Sequence, residues 1–516
     1  MSKLVEVSIE EINAIKKDLS TIKLKIAFCY PNIYRAGMAS LGLQLIYQLW
    51  NSYEGVACER SFLPIKEIVE PYTLESDRPL REMDVIAFTM QYEDDYTNIL
   101  RILERSHIPL ESKDRDERHP LIIAGGPSAQ SNPVPMAPFI DAFMIGDLEP
   151  VNDQLMNEGL LEQTSRENRL KALDSFDWIW VPSINHDKTV KFAPKGNIDD
   201  YFYPTKQIIP QLEDNDPWFG AFGKTFMLEV VRGCNRGCSF CLTGKINRPR
   251  RARSLEKLQE LYRKGVKECQ VNKISTIGSG ISDYKDLEKL CQSIIDDELI
   301  FSLPAIRADR ITENLVKLLV KTGQKTITTA PEAGTEELRK RICKEVSDQE
   351  IFNAITTADN GGLSRVKTYF ILGLPEETEN DIKAIADLGK NISTISKGIR
   401  KIRLSAGYFI PKPRTFYQDQ SIFPLTELQT RGKLLMKLAD KIPKVDCEIS
   451  NPKWARIQTM LSLGGEEISQ PLKLASKLGG GLGDWRRALN EYNLKIEDLT
   501  EKREKLIEYP WDFIKL

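Results

Sequence analysis

The chain has 516 residues, with 72 Lys+Arg against 74 Asp+Glu and a formal net charge of -2. At about 100–200 residues per domain this length holds roughly two to four domains, and the balanced charge excludes a global basic field of the kind that draws nucleic acid or anionic membrane. No apolar run approaches the roughly 18 residues of a membrane span, Met1–Leu19 is charged and amphipathic rather than a secretion signal, and nine scattered cysteines make no disulfide framework. A cytoplasmic protein without an integral membrane segment is expected.

Residues 1–164 read as an open α/β domain. Lys23–Cys29 is a β-rich run, followed by a helical pattern over Ser40–Trp50 with Leu41, Leu45, Ile46 and Leu49 on one side. Asp84–Met90 is a second buried strand and Asp95–Leu103 a helix; Leu121–Ala124 is a third strand closed by Gly125-Gly126-Pro127, and Ala142–Ile145 a fourth closed by Gly146-Asp147. Alternating strands and helices predict a doubly wound parallel sheet that binds ligands at the carboxyl ends of its strands. Residues 165–222, with Pro182, Pro194, Pro204, Pro210 and Pro217, read as a linker, and His186 within it as a surface histidine.

From 223 to 425 the strand runs Thr225–Val231, Lys273–Ile277, Ser302–Ala308, Thr326–Thr329, Arg365–Ile371 and Lys401–Phe409 alternate with helices, one of them opened by a Ser347…Glu350 capping box. The pattern predicts a partial (β/α)6 TIM-type barrel with its chemistry at the carboxyl ends of the strands. Residues 426–516 are helical and charged, and are expected to cap the barrel mouth. The glycine-rich break Gly479–Gly483 has no strand before it and is not a phosphate-binding fingerprint.

The stretch Arg232-Gly233-Cys234-Asn235-Arg236-Gly237-Cys238-Ser239-Phe240-Cys241 ends the first barrel strand. Three thiolates on one tight loop can ligate three irons of a 4Fe-4S cluster, where electron-transfer clusters take four cysteines. The remaining iron is then open to chelate a ligand, as an open position does at a catalytic zinc; the amino and carboxylate end of S-adenosylmethionine fits it. A zinc knuckle would want a fourth Cys or His nearby, and none lies within twenty residues on either side. Cys29, Cys58, Cys269, Cys291, Cys343 and Cys447 stand alone and read mostly as buried packing residues.

The cysteine spacing, with an aromatic just before the third cysteine, resembles the radical S-adenosylmethionine (SAM) enzymes. That resemblance implies metal ligands Cys234, Cys238 and Cys241, Phe240 at the adenine edge, and Gly278, Ser279 and Gly280 offering carbonyls to the methionyl amine. It further implies Glu332 at the ribose or methionyl end, and Ile371 and Gly373 meeting adenine through an Ile-x-Gly-x-x-Glu signature in which Tyr369 replaces the usual leading glycine. Pro411-Lys412-Pro413-Arg414-Thr415 is similar to the Pro-x-Pro-x-Thr of methylthiotransferase-type barrels. The amino-terminal domain resembles the cobalamin-binding domain of one branch of these enzymes. Asn32-Ile33-Tyr34-Arg35-Ala36-Gly37 stands where such domains carry Asp-x-His-x-x-Gly, keeping the glycine and losing the cobalt-ligating histidine. By the same resemblance Asn32, Tyr34, Gly37, Thr89, Gln91, Gly125, Gly126 and Gly146 would line cobalamin.

The implied activity is formation of a 5′-deoxyadenosyl radical with a 4Fe-4S cluster, S-adenosylmethionine and cobalamin, leading to methylation of an unactivated carbon. An external one-electron reductant of ferredoxin or flavodoxin type would serve it, the substrate being a small molecule, lipid or peptide. Three alternatives stand beside this: a domain that kept the fold and lost cobalamin, with coupling or cyclisation chemistry; a methylthiotransferase; and a non-catalytic cofactor-binding protein. Lys245, Arg248, Arg250, Arg251 and Arg253 form either a solvated loop or an anion clamp.

Overall fold

The computed structural model describes residues 9–65, 69–213, 216–502 and 505–516; the first eight residues of the amphipathic stretch Met1–Leu19 lie outside these. The amino-terminal strands are β1 (Leu24–Tyr30), β2 (Val56–Phe62), β3 (Val85–Thr89), β4 (Leu121–Gly125), β5 (Ala142–Met144) and β6 (Ile179–Trp180), in spatial order β2-β1-β3-β4-β5-β6. All neighbours are parallel except the β5–β6 pair. β1 and β4 are apolar along nearly their whole length because helices cover both faces of a parallel sheet. The first crossover helix, α1 (Leu41–Asn51), starts at Ser40, whose side chain accepts from the Leu43 amide. Strand order reverses between β1 and β3, which opens a crevice at their carboxyl ends.

The segment 165–222 is more than a connector. It supplies β6, lays Val190–Lys191 beside Ile514–Lys515, and pairs Ile209–Pro210 antiparallel with Glu11–Ile12. Both chain ends are thereby strapped to it.

The barrel consists of β7 (Phe226–Arg232), β8 (Lys273–Gly278), β9 (Ile300–Ser302), β10 (Thr326–Glu332), β11 (Arg365–Leu372), β12 (Lys401–Tyr408) and β13 (Val445–Ile449), in two parallel groups, β7-β8-β9 and β10-β11-β12-β13. The third strand lies at 300–302, not over 302–308, since Pro304 lacks an amide for a ladder. β13 falls where only helix was expected and adds a seventh parallel strand, in register with β12 from Ile402↔Val445 to Ala406↔Ile449. The expected capping box forms, with the Ser347 amide donating to Glu350 Oε2 at 2.7 Å and the Glu350 amide donating to Ser347 Oγ at 3.2 Å.

The carboxyl-terminal helices Pro452–Leu463, Ser469–Leu478 and Leu482–Glu491 do not cap the barrel mouth. They pack against α2 (Tyr96–Arg105), where Leu461, Leu472 and Trp485 share a core with Ile99 and Leu103. The cause is α2 itself: Ile99, Leu100, Ile102 and Leu103 are all buried, so its apolar surface is too wide for one neighbour and calls for a second layer. No helix among the described residues is long and apolar enough to cross a membrane.

Behind β1 and β2 lies a buried charge cluster in which Arg60 bonds Glu11 Oε2 at 2.6 Å and Glu75 Oε1 at 2.7 Å. Arg60→Ala strands two carboxylates, which should cost about 3 to 5 kcal/mol of stability by urea unfolding. The stranded groups would bind protons more readily folded than unfolded, so the deficit should grow as pH rises above about 4.3, the ordinary glutamate value. A deficit that is flat between acid and neutral pH would contradict this.

Candidate active site

β7 runs directly into the cysteine loop. Gly233 turns it with φ +79, and a Cβ there would sit 2.1 Å from the Asn247 carbonyl oxygen, so only glycine fits. Cys234, Cys238 and Cys241 are all partly exposed. The Arg236 amide donates to Cys234 Sγ at 3.4 Å, and Gly280, in a left-handed conformation after β8, approaches that sulfur so closely that a Cβ would lie 3.3 Å from it. Burial pushes the Cys238 thiol up to about 11 and also raises Cys241; neighbouring thiols and Glu332 add to both shifts, and Lys344 opposes them. Thiols that discourage one another's ionisation suit a cationic metal centre, which deprotonates its ligands outright.

Opposite the loop, β10 bulges between Thr329 and Glu332, leaving Glu332 at φ +71. Its Oε1 accepts from Lys344 Nζ at 3.1 Å, and both side chains are largely covered. Burial raises the Glu332 carboxyl, against the pull of Lys344. Glu332 thus stands near enough to Cys238 and Cys241 to bear on both thiols, and with it comes Lys344, for which no sequence motif gave a signal. Cys343 departs from the packing role expected of it: it is exposed, and its sulfur accepts from Ser239 Oγ of the cluster loop at 3.7 Å. Cys29, Cys58, Cys269 and Cys291 are buried.

Gly278 packs so tightly on β7 that a Cβ would stand 2.9 Å from the Val231 carbonyl oxygen. The loop after it is pinned by Asp283, which binds Arg236 Nη2 at 2.6 Å and Arg310 Nε at 3.3 Å. Phe240 and Ile371 are partly buried against the barrel core. Gly373, at φ +78, donates its amide to Glu377 Oε2 at 2.7 Å, and Arg431 holds the same oxygen at 2.8 Å. Burial pushes Glu377 up to about 7, the Gly373 amide and Arg431 pulling the other way. Spacing pointed to Glu376 as the acid of this signature; Glu376 instead pairs with Arg341 at 2.8 Å, and Glu377 closes the loop.

Between the two sheets lies a cavity of about 600 Å³. Thr89, Gln91, Gly125, Gly126 and Gly146 line it from the amino-terminal strand ends, and Gly278 and Ser279 from the barrel. Gly126 (φ +109) and Gly146 (φ +118) are held to glycine by close backbone packing, where a Cβ would meet the Met90 carbonyl oxygen at 2.8 Å and the Ala193 nitrogen at 2.7 Å. Asn32, Tyr34 and Gly37 are not brought to the lining. Asn32 Nδ2 donates to Asp95 Oδ1 at 3.0 Å; Tyr34 is buried, its hydroxyl donating to Glu11 Oε1 at 2.7 Å, with Phe62 packed against both Tyr34 and Gly37. The charge cluster around Arg60 draws this loop behind the sheet.

The basic run divides: Arg248 is exposed, Arg250 keeps Nε and Nη2 buried without a hydrogen-bond partner, and the other three are committed within the protein. Arg251 binds Asp147 Oδ2 at 2.5 Å, Arg253 binds Glu229 Oε2 at 3.3 Å and covers the Tyr203 ring, and Lys245 Nζ lies 3.8 Å from the Phe416 ring centroid.

Cys234→Ala, Cys238→Ala and Cys241→Ala should each lose the cluster and, with it, at least about 99% of S-adenosylmethionine cleavage, because two thiolates cannot hold a cube with one defined open iron. Cys343→Ala, beside the loop but outside the trio, should keep the iron content of the parent; iron and sulfide analysis after anaerobic reconstitution checks both.

The family model described as Radical SAM proteins, N-terminal, matches residues 42–182, and that of the Radical SAM superfamily matches 228–389. The uncharacterized protein MJ0966 of Methanocaldococcus jannaschii is 32% identical over 481 residues, 92% of this chain and 96% of that one. The ribosomal protein uS12 methylthiotransferase RimO of Caldanaerobacter subterraneus subsp. tengcongensis is 27% identical over 194 residues, 35% of this chain and 43% of its own length. Two solved structures share the architecture. The radical S-adenosylmethionine methyltransferase TsrM from Kitasatospora setae, with cobalamin and a 4Fe-4S cluster bound, has a TM-score of 0.50 at 12% identity and covers 93% of this chain and 99% of that one. The cobalamin-dependent S-adenosylmethionine radical enzyme OxsB, with aqua-cobalamin and S-adenosylmethionine bound, has a TM-score of 0.50 at 14% identity over 82% of this chain and 58% of that one. With the cysteine loop at the head of a parallel barrel and both family models matched in order, the chain belongs to the radical SAM superfamily, enzymes that work with a 4Fe-4S cluster, S-adenosylmethionine and an external reductant.

Proposed function

We propose that this enzyme holds cobalamin in the cavity between its two sheets and methylates an unactivated carbon of its substrate, drawing electrons from a ferredoxin or flavodoxin. The observation that carries the reading is the reach of that cavity, from the carboxyl ends of β3, β4 and β5 to Gly278 and Ser279 beside the cysteine loop. The shared fold of TsrM and OxsB, whose structures hold cobalamin, supports it. When bound, the cluster and S-adenosylmethionine supply the radical that takes hydrogen from carbon, and cobalamin supplies a transferable methyl group.

The chain's own residues fit these groups. Gly125, Gly126 and Gly146 give the sheet edge a side-chain-free wall on which a flat or extended ligand can lie against backbone. Thr89 and Gln91 meet there, the Gln91 amide donating to Thr89 Oγ1 at 2.7 Å, and offer polar groups to the ligand's amides. Glu332 and Lys344 present a carboxylate and an ammonium beside the trio, complementary to the amino and carboxylate ends of S-adenosylmethionine.

None of the chain's three histidines lines the cavity. His119 pairs with Asp116 at 2.9 Å, His186 with Glu466 at 2.7 Å, and His107 ends α2 at φ +57. Cobalt should therefore have no histidine ligand: protein labelled with nitrogen-15 and loaded anaerobically with unlabelled cobalamin should give a cob(II)alamin electron paramagnetic resonance spectrum identical to that of unlabelled protein. Gly125→Phe is the matching variant. A Cβ at Gly125 meets only ordinary contacts, the nearest the Met144 carbonyl oxygen at 3.6 Å, so the backbone accepts it while the ring occupies the cavity. It should bind cobalamin about tenfold more weakly or worse and keep the cluster and 5′-deoxyadenosine formation. Wild-type enzyme that retains no cobalamin would turn the assignment to cobalamin-free radical chemistry.

A further inference from the structure

Along β11, Val366, Thr368, Phe370 and Leu372 are buried, and along β12 so are Ile402, Leu404, Ala406 and Tyr408. This is the helix side: a Cβ on Gly389 of the helix Glu379–Ile395 would meet Leu404 at 3.1 Å. The alternate positions face the barrel interior. In a closed barrel such positions carry layers of Val, Ile and Leu; here they are Arg365, Lys367 and Tyr369 on β11 and Lys401, Arg403 and Ser405 on β12. On β13, Asp446 stands opposite Arg403 and Glu448 opposite Ser405. Charges of this density are not left in a dry interior, so the wall is wet and open.

The charges on it do not cancel. Lys401 and Arg403 share Asp446 at 3.3 and 3.1 Å, and Arg403 also reaches Glu448 at 3.6 Å. Arg365 and Lys367, neighbours on the same face of β11, have no carboxylate partner among the described residues. Lys367 Nζ instead lies 4.7 Å from the centroid of the Tyr369 ring, and that ring is 37% exposed. An aromatic ring beside two cations that no carboxylate holds is a platform for a planar or apolar group joined to an anion.

We propose that the inner wall of β11 and β12 is the substrate wall: an anionic group, carboxylate or phosphate, sits at Arg365 and Lys367, and an aromatic or apolar portion rests on Tyr369. The substrate extends from there toward the strand ends, where Ile371 lies four residues, about 13 Å, above Lys367 at about 3.3 Å per residue. This rests on the placement of the reaction at those strand ends.

The test uses the anaerobically reconstituted full chain and two fluorescent probes, anilinonaphthalene sulfonate and its uncharged parent phenylnaphthylamine. Wild type should bind the sulfonate about tenfold more tightly than the parent, a preference expected of charge-assisted contacts. Arg365→Glu combined with Lys367→Glu should erase that preference, and Tyr369→Ala should weaken both probes. Benzoate and phenyl phosphate, added as competitors, should differ in displacing the sulfonate, and the stronger names the anion. Substrate-free formation of 5′-deoxyadenosine, measured in parallel, should be unchanged in the double reversal; if it falls there, Lys367→Gln carries the same comparison. A preference that survives charge reversal, or displacement by neither competitor, overturns the proposal. Cobalamin retention is not part of this readout, so either reading can fall while the other stands.

Discussion

Arg232 is the last residue of β7 and stands two residues before Cys234, and its guanidinium is where the two halves of the protein are registered. It binds Glu149 Oε1 at 2.7 Å and Asp147 Oδ2 at 3.3 Å on the amino-terminal domain, and Glu229 Oε1 at 2.9 Å on its own strand. A planar fork can satisfy carboxylates from several directions at once, which a lysine cannot. Arg251 on Asp147 and Arg253 on Glu229 bring the cluster to three cations against three acids. Buried charges tolerate no misplacement, because an unpaired member costs several kcal/mol, about 3 to 5. The root of the cysteine loop is therefore fixed against the loop after β5, whose Gly146 walls the cavity. The spacing between the two cofactor regions follows from this one network.

The same economy explains the motif after β12. Lys412 donates to the buried Glu93 at 2.7 Å, and Gln458 of the carboxyl-terminal helices donates to the same carboxylate at 3.0 Å. Burial works against Glu93 ionising, yet these partners hold its carboxyl below the ordinary glutamate value. Arg414, at φ +66, donates to the carbonyls of Trp511 and Ile514, both at 2.9 Å, and to that of Gln130 at 3.3 Å. A stretch that resembles a sequence signature thus serves as the knot joining the amino-terminal domain, the barrel and the chain's final strand. That knot is structural, and the fold needs it whatever the substrate is.

Local chemistry was the part legible in sequence. A tight loop with three cysteines, glycines that end strands, and a Ser347…Glu350 box each declare themselves within a few residues, and β1, β3 and β4 announce themselves as apolar runs, whereas β2 was not expected because Glu59, Arg60 and Ser61 interrupt it. What was not legible depends on partners far along the chain. Tyr34 sits at the motif position of a ligand, yet Glu11 and Arg60 decide where its hydroxyl goes. Lys344 has no motif and acquires its place only when Glu332 bulges out of β10. β13 was hidden because its inward positions are the charged Asp446 and Glu448, which look like surface until Arg403 stands beside them. The ion pairs of Arg251 and Arg253 in the basic run were hidden for the same reason, since their acids lie up to 104 residues away.

The two sheets present their carboxyl ends to one another, and this decides how a substrate reaches the chemistry. The amino-terminal domain lies over the strand ends of β7 and β8, where Gly233 and Gly278 share the cavity with Thr89 and Gly146. Entry from above would have to pass through the space assigned to cobalamin. The inner wall proposed for substrate on β11 and β12 is another route: it carries Arg365, Lys367 and Tyr369 along its length and ends at Ile371 beside the signature loop. A hydrophilic interior is a loss for barrel stability, since inward Val and Ile would contribute about 1.5 to 3 kcal/mol each when buried. The packing lost there is made up on the outside, where the helix side of every second residue on β11 and β12 is fully covered. The helix layer thus holds β11 and β12 independently of what their inner faces carry, which leaves those faces free for the substrate proposed above.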